Sequence, residues 1–476
     1  MSCDQRDDKL STTFSLCSCV TVDNKLLRNS LTKMSNKLIK NINRMSKLFQ
    51  PIKVFPKEAI IKHDDKSKSY RLLLDMGVIR QANPGMYTLL PLGYRVLDKL
   101  IAIVDNEMSN IGAQKMLLPH LTSAKLWNQT GRLSEMGPEL IKLKDRHHDT
   151  LILSPTYEEA ITSLIVKVGS IQKSQLPLLL YQISTKWRDE MKPRLGLLRS
   201  REFVMKDLYS FDLTIENAKE TYESVNQAYN NILSHIGVPY TVVLGDPGLM
   251  GGNLSHEYHY FSDIGEDTIL SCDSCGINVN ATMNNKSTCD NCGKKFTEHM
   301  GVEIAHAFLL GNKYTKAFEA SCHVQDSQVY FEMGCYGLGL TRLITAAVEI
   351  LSTHECLRWP KCIAPFTVCI LPPKEKSKES SAFHYTDKIV DMLDEKNIDY
   401  IIDDRINLTI GRRLFDAKKT GYPYLIVIGK NSIQPNPLFE IHDLNNSQES
   451  NMSLDQLIDF FNNVNVDDEK IKEAII

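Results

Sequence analysis

The chain of 476 residues is long enough for two or three domains with cores of their own. A formal net charge of -3 with 24% charged residues excludes a broad cationic surface, so any RNA contact has to come from a local patch. No apolar run reaches the roughly 18–20 residues that cross a bilayer, and twelve cysteines in so long a chain without a secretory signal do not describe a disulfide scaffold.

From Asp23 to Glu58 no acidic residue intervenes, while Lys25, Arg28, Lys33, Lys37, Lys40, Arg44 and Lys47 fall inside the window. Leu27, Leu31, Met34, Leu38, Ile42, Met45 and Phe49 recur every three or four positions, which is one face of a helix. A basic, acid-poor amphipathic segment at this end reads as a mitochondrial transit peptide; the plainer alternative is a basic surface helix or tail. Asp4, Asp7 and Asp8 fit that reading poorly, which leaves Met34 as a competing start. Residues 1–50 are therefore set apart as a disordered targeting segment.

A helix is expected over 67–80, then a turn, a long amphipathic helix with Val96, Leu97, Leu100, Ile101, Val104 and Met108 as its stripe, and a strand ending near Pro119. "DTLILSPTYEEAITSLI" reads as strand, loop and a helix starting near Thr156. "LPLLLYQISTKWRDE" and "SREFVMKDLYSF" are two strands flanking a loop around Pro193 to Gly196, followed by a helix over 215–236. "HAFLLG" and "VYFEMGCYG" are late strands, the second running into the helix "LGLTRLITAAVEIL". After the compositional change at Trp359–Pro365, strands at 366–371, 399–403, 423–429 and 437–442 alternate with helices at 381–395, 409–420 and 453–463. That alternation predicts a compact α/β domain with a largely parallel sheet.

The stretch "TKWRDEMKPRLGLLRSREF" carries more charge than a strand pair ordinarily holds. Arg188 and Glu190 are two apart and share a strand face; Arg199 and Phe203 share a face on the return strand. An arginine that grips phosphate beside an aromatic that stacks on a base makes a nucleotide cradle, with Asp207 placed to orient one of the arginines. The plain alternative is a salt-bridged exposed hairpin. "MGCYGLGLTRL" adds glycines that permit close backbone approach and Arg342 in the first turns of a helix. Cys272, Cys275, Cys289 and Cys292 form two C-x2-C knuckles thirteen residues apart, the donor set of a structural tetrahedral zinc, or of reduced cysteines in a degenerate ribbon.

Arg188-x-Glu190, a loop, then Arg199-x-x-x-Phe203-x-x-x-Asp207 resembles motif 2 of the class II aminoacyl-tRNA synthetases. "GLGLTRL" resembles their motif 3, and the long helix and strand ending at Pro119 resemble motif 1. "SPTYEE", "RSREFVMKDLYSF", "SHEY", "KYTKAF" and "MGCYGLGLTR" are similar to the bacterial-type prolyl branch in its mitochondrial form. The resemblance runs from about residue 51 to the C-terminus. It implies an α+β catalytic domain on an antiparallel sheet (51–363, with a zinc-ribbon-like insert at about 265–300) and an α/β anticodon-binding domain (364–476). It also implies a homodimer in the mitochondrial matrix.

The resemblance further implies proline activation by ATP and transfer to tRNA(Pro). Arg188 is to hold the α-phosphate and the substrate carboxylate, and Glu190 to read the adenine amino group. Arg199 and Arg342 are to hold the outer phosphates and Phe203 to stack on adenine, with Asp207 and Gly339 also counted among the ATP-binding residues. Arg188, Glu190 and Arg342 carry catalysis in this assignment. Thr156, Glu158, Arg188, His256 and Cys335 are to form the proline pocket, and Glu303 to ligate magnesium. Leu309 stands where bacterial members usually have glutamine. The interval from Phe211 to Val302 is too short for the large editing domain of bacterial members, so no cis-editing is expected. Residues 364–476 carry 13 Lys and Arg against 19 Asp and Glu, net -6, which leaves a local patch at Arg405, Arg412 and Arg413 as the tRNA contact, or a solvated helix face. Two other readings stand beside this one: a threonyl, histidyl or glycyl synthetase of the same subgroup, and an inactive synthetase-like binding subunit. The second fits poorly with the phosphate arginines in place.

Overall fold

A computed structural model describes residues 43–52, 67–169, 171–252, 254–283, 287–324 and 327–474. The targeting segment expected at the N-terminus lies outside them up to residue 42. Its last residues do not stand apart from the fold. The Ile402 amide donates to the Asn43 carbonyl (2.8 Å), and the Ser46 amide and hydroxyl donate to Asp404 (2.8 and 2.6 Å). Gln50 donates to the Met76 carbonyl (3.0 Å) and Met45 is buried. The boundary expected at residue 50 is corrected accordingly: an unpaired edge strand and a pocket for Met45 recruit this stretch.

The main body is a nine-stranded sheet in the order Leu254–Phe261, Thr241–Leu244, Ile277–Asn280, Asp267–Cys272, Thr297–Gly311, Glu332–Gly339, Glu202–Asp212, Leu178–Trp187 and Gln114–Lys115. Its central pairings are antiparallel, as expected. The helices Pro91–Asn110, Ile215–Ile236 and Leu340–Leu351 cover one face. Their apolar stripes and the inward residues of the sheet, among them Val96, Leu100, Tyr229, Ile232, Ala305 and Ala307, form one core. Burial on this scale contributes about 25 cal/mol per Å2 of apolar surface removed from water. Thr214 caps the second helix through the Asn217 amide (3.3 Å) and Gly237 ends it in the left-handed region (φ 75°). Leu309 is on the helix-facing side of its strand, 3% exposed, so the residue there packs in the core.

The helix expected over 67–80 stops at Asp75. Gly77 (φ 66°) reverses the chain, and Ile79–Asn83 is a strand paired with Met86–Leu89. The strand before Pro119 is only Gln114–Lys115.

The C-terminal sheet runs Tyr400–Ile402, Val368–Leu371, Tyr424–Val427, Phe439–Asp443, Gln448–Met452. The first three strands are parallel and the last two antiparallel. The largely parallel sheet expected from alternation is thus a mixed one, because no crossover helix separates Tyr424–Val427 from Phe439–Asp443, which pair antiparallel, and "QESNM" after the turn at Leu444 adds a polar antiparallel edge strand with no apolar signature. Trp359, at the compositional change, is fully buried and donates to the Thr420 carbonyl (3.0 Å), tying the two sheets' domains together.

Candidate active site

The opposite face of the main sheet, the helix Glu158–Lys167 packed on it and the loops around it enclose a cleft of about 490 Å3. Arg188, Glu190, Arg199, Phe203, Asp207, Glu303, Cys335, Gly339, Arg342 and Thr156 all line it. Strand period is not what brings the first three together. The outgoing strand ends at Trp187 and the return strand starts at Glu202, so Arg188, Glu190 and Arg199 belong to the connecting segment. That segment is itself ordered. Arg188 pairs by its amide with the Arg201 carbonyl (2.9 Å), Arg194 likewise with Arg199 (3.1 Å), and a 3-10 turn spans Gly196–Leu198. Gly196 has φ 64°, and a Cβ there would meet the Tyr70 ring at 2.4 Å, so only glycine fits.

The Arg188 Nε is buried and has no hydrogen-bond partner among the described residues. Its guanidinium carbon lies 5.3 Å from the Phe203 ring centroid. Burial first, and then the charge of Arg342, lowers its pKa. An unmet buried guanidinium N–H costs about 1–3 kcal/mol, while the rest of the Arg188 side chain lines the cleft.

Arg199 donates from Nε to Glu190 (2.9 Å) and also contacts Glu266. Glu266 receives Arg194 as well (2.7 Å). Burial alone would push the Glu190 carboxyl up; the hydrogen bonds from Arg199 and the Lys192 amide and the Arg199 charge hold it below its ordinary value. Arg342 donates to the Leu198 and Glu303 carbonyls (3.1 and 3.0 Å) and stands 3.6 Å from the Glu303 carboxylate. His306 Nδ1 bonds that carboxylate (3.1 Å). Burial opposes ionisation of Glu303, yet His306 and Arg342 hold it well below the usual carboxylate range. Gly339 lines the cleft, and a Cβ there would sit in ordinary contact with Arg342 at 3.5 Å.

At the other end, Glu158 is fully buried. The Thr156 hydroxyl and the Cys335 thiol donate to it (2.7 and 2.9 Å) and present themselves to the cleft. Burial, then the nearby Glu158 charge, raises the Cys335 pKa well above its ordinary value.

One expected residue falls elsewhere and another has a different partner. His256 does not line the cleft: its Nδ1 bonds Tyr222 (2.8 Å) on the helix-covered face, because Ser255 and Glu257 take the other side of that strand. Asp207 orients no arginine. It pairs with Lys186 (2.5 Å) and accepts from Gln182 (3.0 Å) and Tyr209 (2.9 Å).

The Sγ atoms of Cys272, Cys275, Cys289 and Cys292 lie within 4.8 Å of one another, Cys272 and Cys292 at 3.5 Å. Four thiolates about 2.3 Å from a central zinc would stand about 3.8 Å apart, so the donor set and its closeness fit the metal.

The C-terminal arginines separate. Arg413 is fully buried and donates to the Asp403 and Pro372 carbonyls (2.9 and 2.7 Å), so it is a strut of the domain and not an RNA contact, contrary to expectation. Arg405 is consumed by Asp403 (2.7 Å) and Asp416 (3.2 Å). Arg412 is exposed beside Phe415, itself 48% exposed, with Lys419 over the other part of that ring (4.8 Å).

Residues 141–351 match the model of the tRNA synthetase class II core domain (G, H, P, S and T), and 367–464 match an anticodon binding domain. The chain is 42% identical over 415 residues to a probable mitochondrial proline–tRNA ligase of Rattus norvegicus, covering 85% of this chain and 87% of the relative. The chain belongs to the proline–tRNA ligase family. A bacterial member, from Wolbachia sp. subsp. Brugia malayi, is 34% identical and is matched over 95% of its length and 83% of this chain. The fold is that of the prolyl-tRNA synthetase from Cryptosporidium parvum, solved with halofuginone and AMPPNP (TM-score 0.69, 17% identity, 86% of this chain and 78% of that one).

Sequence reasoning passed over Arg132, Glu266 and His306, which line the same cleft. Glu266 and His306 sit where neither spacing nor periodicity flags them. Arg132, in "TGRL", has the look of a surface charge, and only the fold shows that it is buried.

Proposed function

We propose that this chain ligates proline to tRNA(Pro) for mitochondrial protein synthesis, in the matrix and as a homodimer, through prolyl-adenylate. One observation carries the reading: Arg188, with an unmet buried N–H, faces the same cleft as the Glu158–Thr156–Cys335 group. An anion-seeking wall and a negatively charged wall in one cavity suit a zwitterionic amino acid beside a nucleotide.

A proline carboxylate oxygen attacks the α-phosphorus of ATP and pyrophosphate leaves; the terminal ribose hydroxyl of the tRNA then attacks the adenylate carbonyl and AMP leaves. Neither step needs a protein nucleophile, so rate comes from alignment and charge stabilisation. Arg188 holds the α-phosphate and carboxylate, Arg199 and Arg342 the outer phosphates, Phe203 the adenine face with Gly339 beneath it, and Glu190 the adenine amino group. Arg199 has to leave Glu266 to do so. Glu303, kept ionised by His306 and Arg342, is the residue to hold magnesium, which neutralises phosphate charge when bound. Thr156 and Cys335 meet the proline ring nitrogen under the charge of Glu158; His256 has no part in this pocket. Asp207 supports the floor through Lys186.

Cys272, Cys275, Cys289 and Cys292 hold a structural zinc, and with that ribbon in place of an editing domain the enzyme does not clear alanyl-tRNA(Pro). Arg412 and Phe415 offer the exposed anticodon-side contact. ATP–pyrophosphate exchange across amino acids, followed by aminoacylation of tRNA(Pro), tests the reading. Exchange stimulated by threonine, histidine or glycine and not by proline would overturn it, and efficient deacylation of alanyl-tRNA(Pro) would overturn the absence of editing.

A further inference from the structure

Arg132 has no solvent exposure. Its Nη1 donates to Glu158 (3.1 Å) and to both oxygens of Glu159 (3.1 and 3.2 Å). Its Nη2 faces the sulfurs of Met136 and Met250. Its guanidinium carbon lies 5.1 Å from the Trp127 ring and 5.5 Å from that of Tyr314. Glu158 and Glu159 are 0% and 1% exposed. One cation faces two carboxyls, while the adjacent Lys186–Asp207 pair balances itself: with both carboxyls ionised the cluster is one positive charge short, an unbalanced buried charge is costly, and burial, opposed by Arg132, raises the Glu159 pKa.

The cluster opens to the cleft through Thr156 and Cys335, with Arg132 behind them. The Thr156 hydroxyl gives its proton to Glu158, so its lone pairs face outward and carry the carboxylate's charge to the cleft wall. A cationic donor arriving there both bonds the hydroxyl and supplies the missing charge. A neutral group of the same shape does neither.

We infer that Arg132 is a positioning residue for amino-acid recognition: by clamping Glu158 and Glu159 together it fixes the buried cluster one negative charge in excess, and so makes the pocket selective for an ammonium over a neutral ring atom. This rests on the ligase reading for the identity of the ligand. Loss of the clamp acts on amino-acid binding and leaves the nucleotide half, built from Arg188, Arg199 and Arg342, as it was.

The test is pyrophosphate exchange with purified full-length chain, measuring KM for proline and for ATP separately, with tetrahydrofuran-2-carboxylate, the ring-oxygen analogue, as competitive inhibitor. Arg132→Gln is expected to raise the proline KM by roughly 10-fold or more, with the ATP KM within about threefold of the parent. Arg132→Lys should recover part of the loss. The ring-oxygen analogue should inhibit poorly in the parent and improve relative to proline in Glu159→Gln, which removes the excess charge, whereas Arg132→Gln keeps the charge and only frees Glu158 from its place. Proline and ATP KM rising together would mark Arg132 as merely structural and overturn the inference, as would an unchanged proline KM. Should the arginine variants fail to fold, Glu159→Gln removes the excess charge with the clamp to Glu158 intact, and an unchanged proline KM there is equally fatal. If the parent exchanges with another amino acid and not proline, the ligase reading fails alone: the comparison is then run with that amino acid, which carries an ammonium too.

Discussion

Lys186 and Asp207 meet beneath the cleft at 2.5 Å, with 0% and 3% of their side chains exposed. Lys186 also donates to Ser184 (2.6 Å), and Asp207 accepts from Gln182 and Tyr209 (3.0 and 2.9 Å). Burial pushes the Lys186 pKa down against the pull of Asp207, so each charge depends on the other to offset its desolvation. Lys186→Met leaves a buried carboxylate with only two neutral donors, and removing one partner of a buried pair costs about 3–5 kcal/mol. Asp207→Asn strands the ammonium at a similar cost. The double variant removes both charges and is expected to lose far less than the sum, about 1–2 kcal/mol in total. At about 2 °C per kcal/mol for a unit of this size, each single change lowers the melting temperature by roughly 6–10 °C and the double by roughly 2–4 °C. Scanning calorimetry at neutral pH on the four proteins measures this. Single losses that add within about 0.5 kcal/mol, or a Lys186→Met variant that melts with the parent, would refute the balance drawn here.

Lys206, fully buried against Tyr229 (2.7 Å) and the Tyr336 carbonyl (3.1 Å), has its pKa pushed down to about 7 by burial. The unfolded chain holds this proton up to pH of about 10.4, so it binds more protons than the folded one above pH 7 and stability rises with pH there. The expected slope from this group is up to about 1.4 kcal/mol per pH unit between pH 7 and 9; urea melts of Lys206→Met should lack it, and parallel profiles for the two proteins would refute the shift. Arg199→Ala is expected to raise the ATP KM in pyrophosphate exchange by roughly 10-fold or more while sparing the proline KM, the loss of a charged hydrogen bond to phosphate; an unchanged ATP KM removes Arg199 from the nucleotide site. Arg412→Ala should leave exchange intact and slow aminoacylation, whereas Arg413→Ala should cost about 1–3 kcal/mol of stability by unpairing two buried carbonyls; the reverse pattern would refute the division. Elemental analysis should find one zinc per chain in the parent and none in Cys275→Ser/Cys292→Ser, and a parent purified with zinc present yet metal-free would remove the metal.

The local rules of the sequence placed the elements wherever a long period was available. Helix 215–236 stands where the 3.6-residue repeat puts it, and the apolar-rich stretches on either side of residue 190 form the paired strands Leu178–Trp187 and Glu202–Asp212, which stop short of it. Arg188, Glu190, Arg199, Phe203 and Arg342, singled out by residue type and spacing, line one cleft in the fold. Short polar strands such as Gln448–Met452 were not legible, since an edge needs no apolar alternation.

The sequence by itself determined which functional groups the chain owns and the order in which they are strung. What only the tertiary structure decided is which of them see solvent, ligand or each other. Arg412 and Arg413 are neighbours in sequence, yet one is exposed and the other is a fully buried strut, because a helix turns by about 100° per residue. Arg132 and Glu158 are 26 residues apart and bond at 3.1 Å in the dry interior. Burial multiplies the strength of every charge it encloses, and burial is a property of the packed molecule that no local pattern encodes.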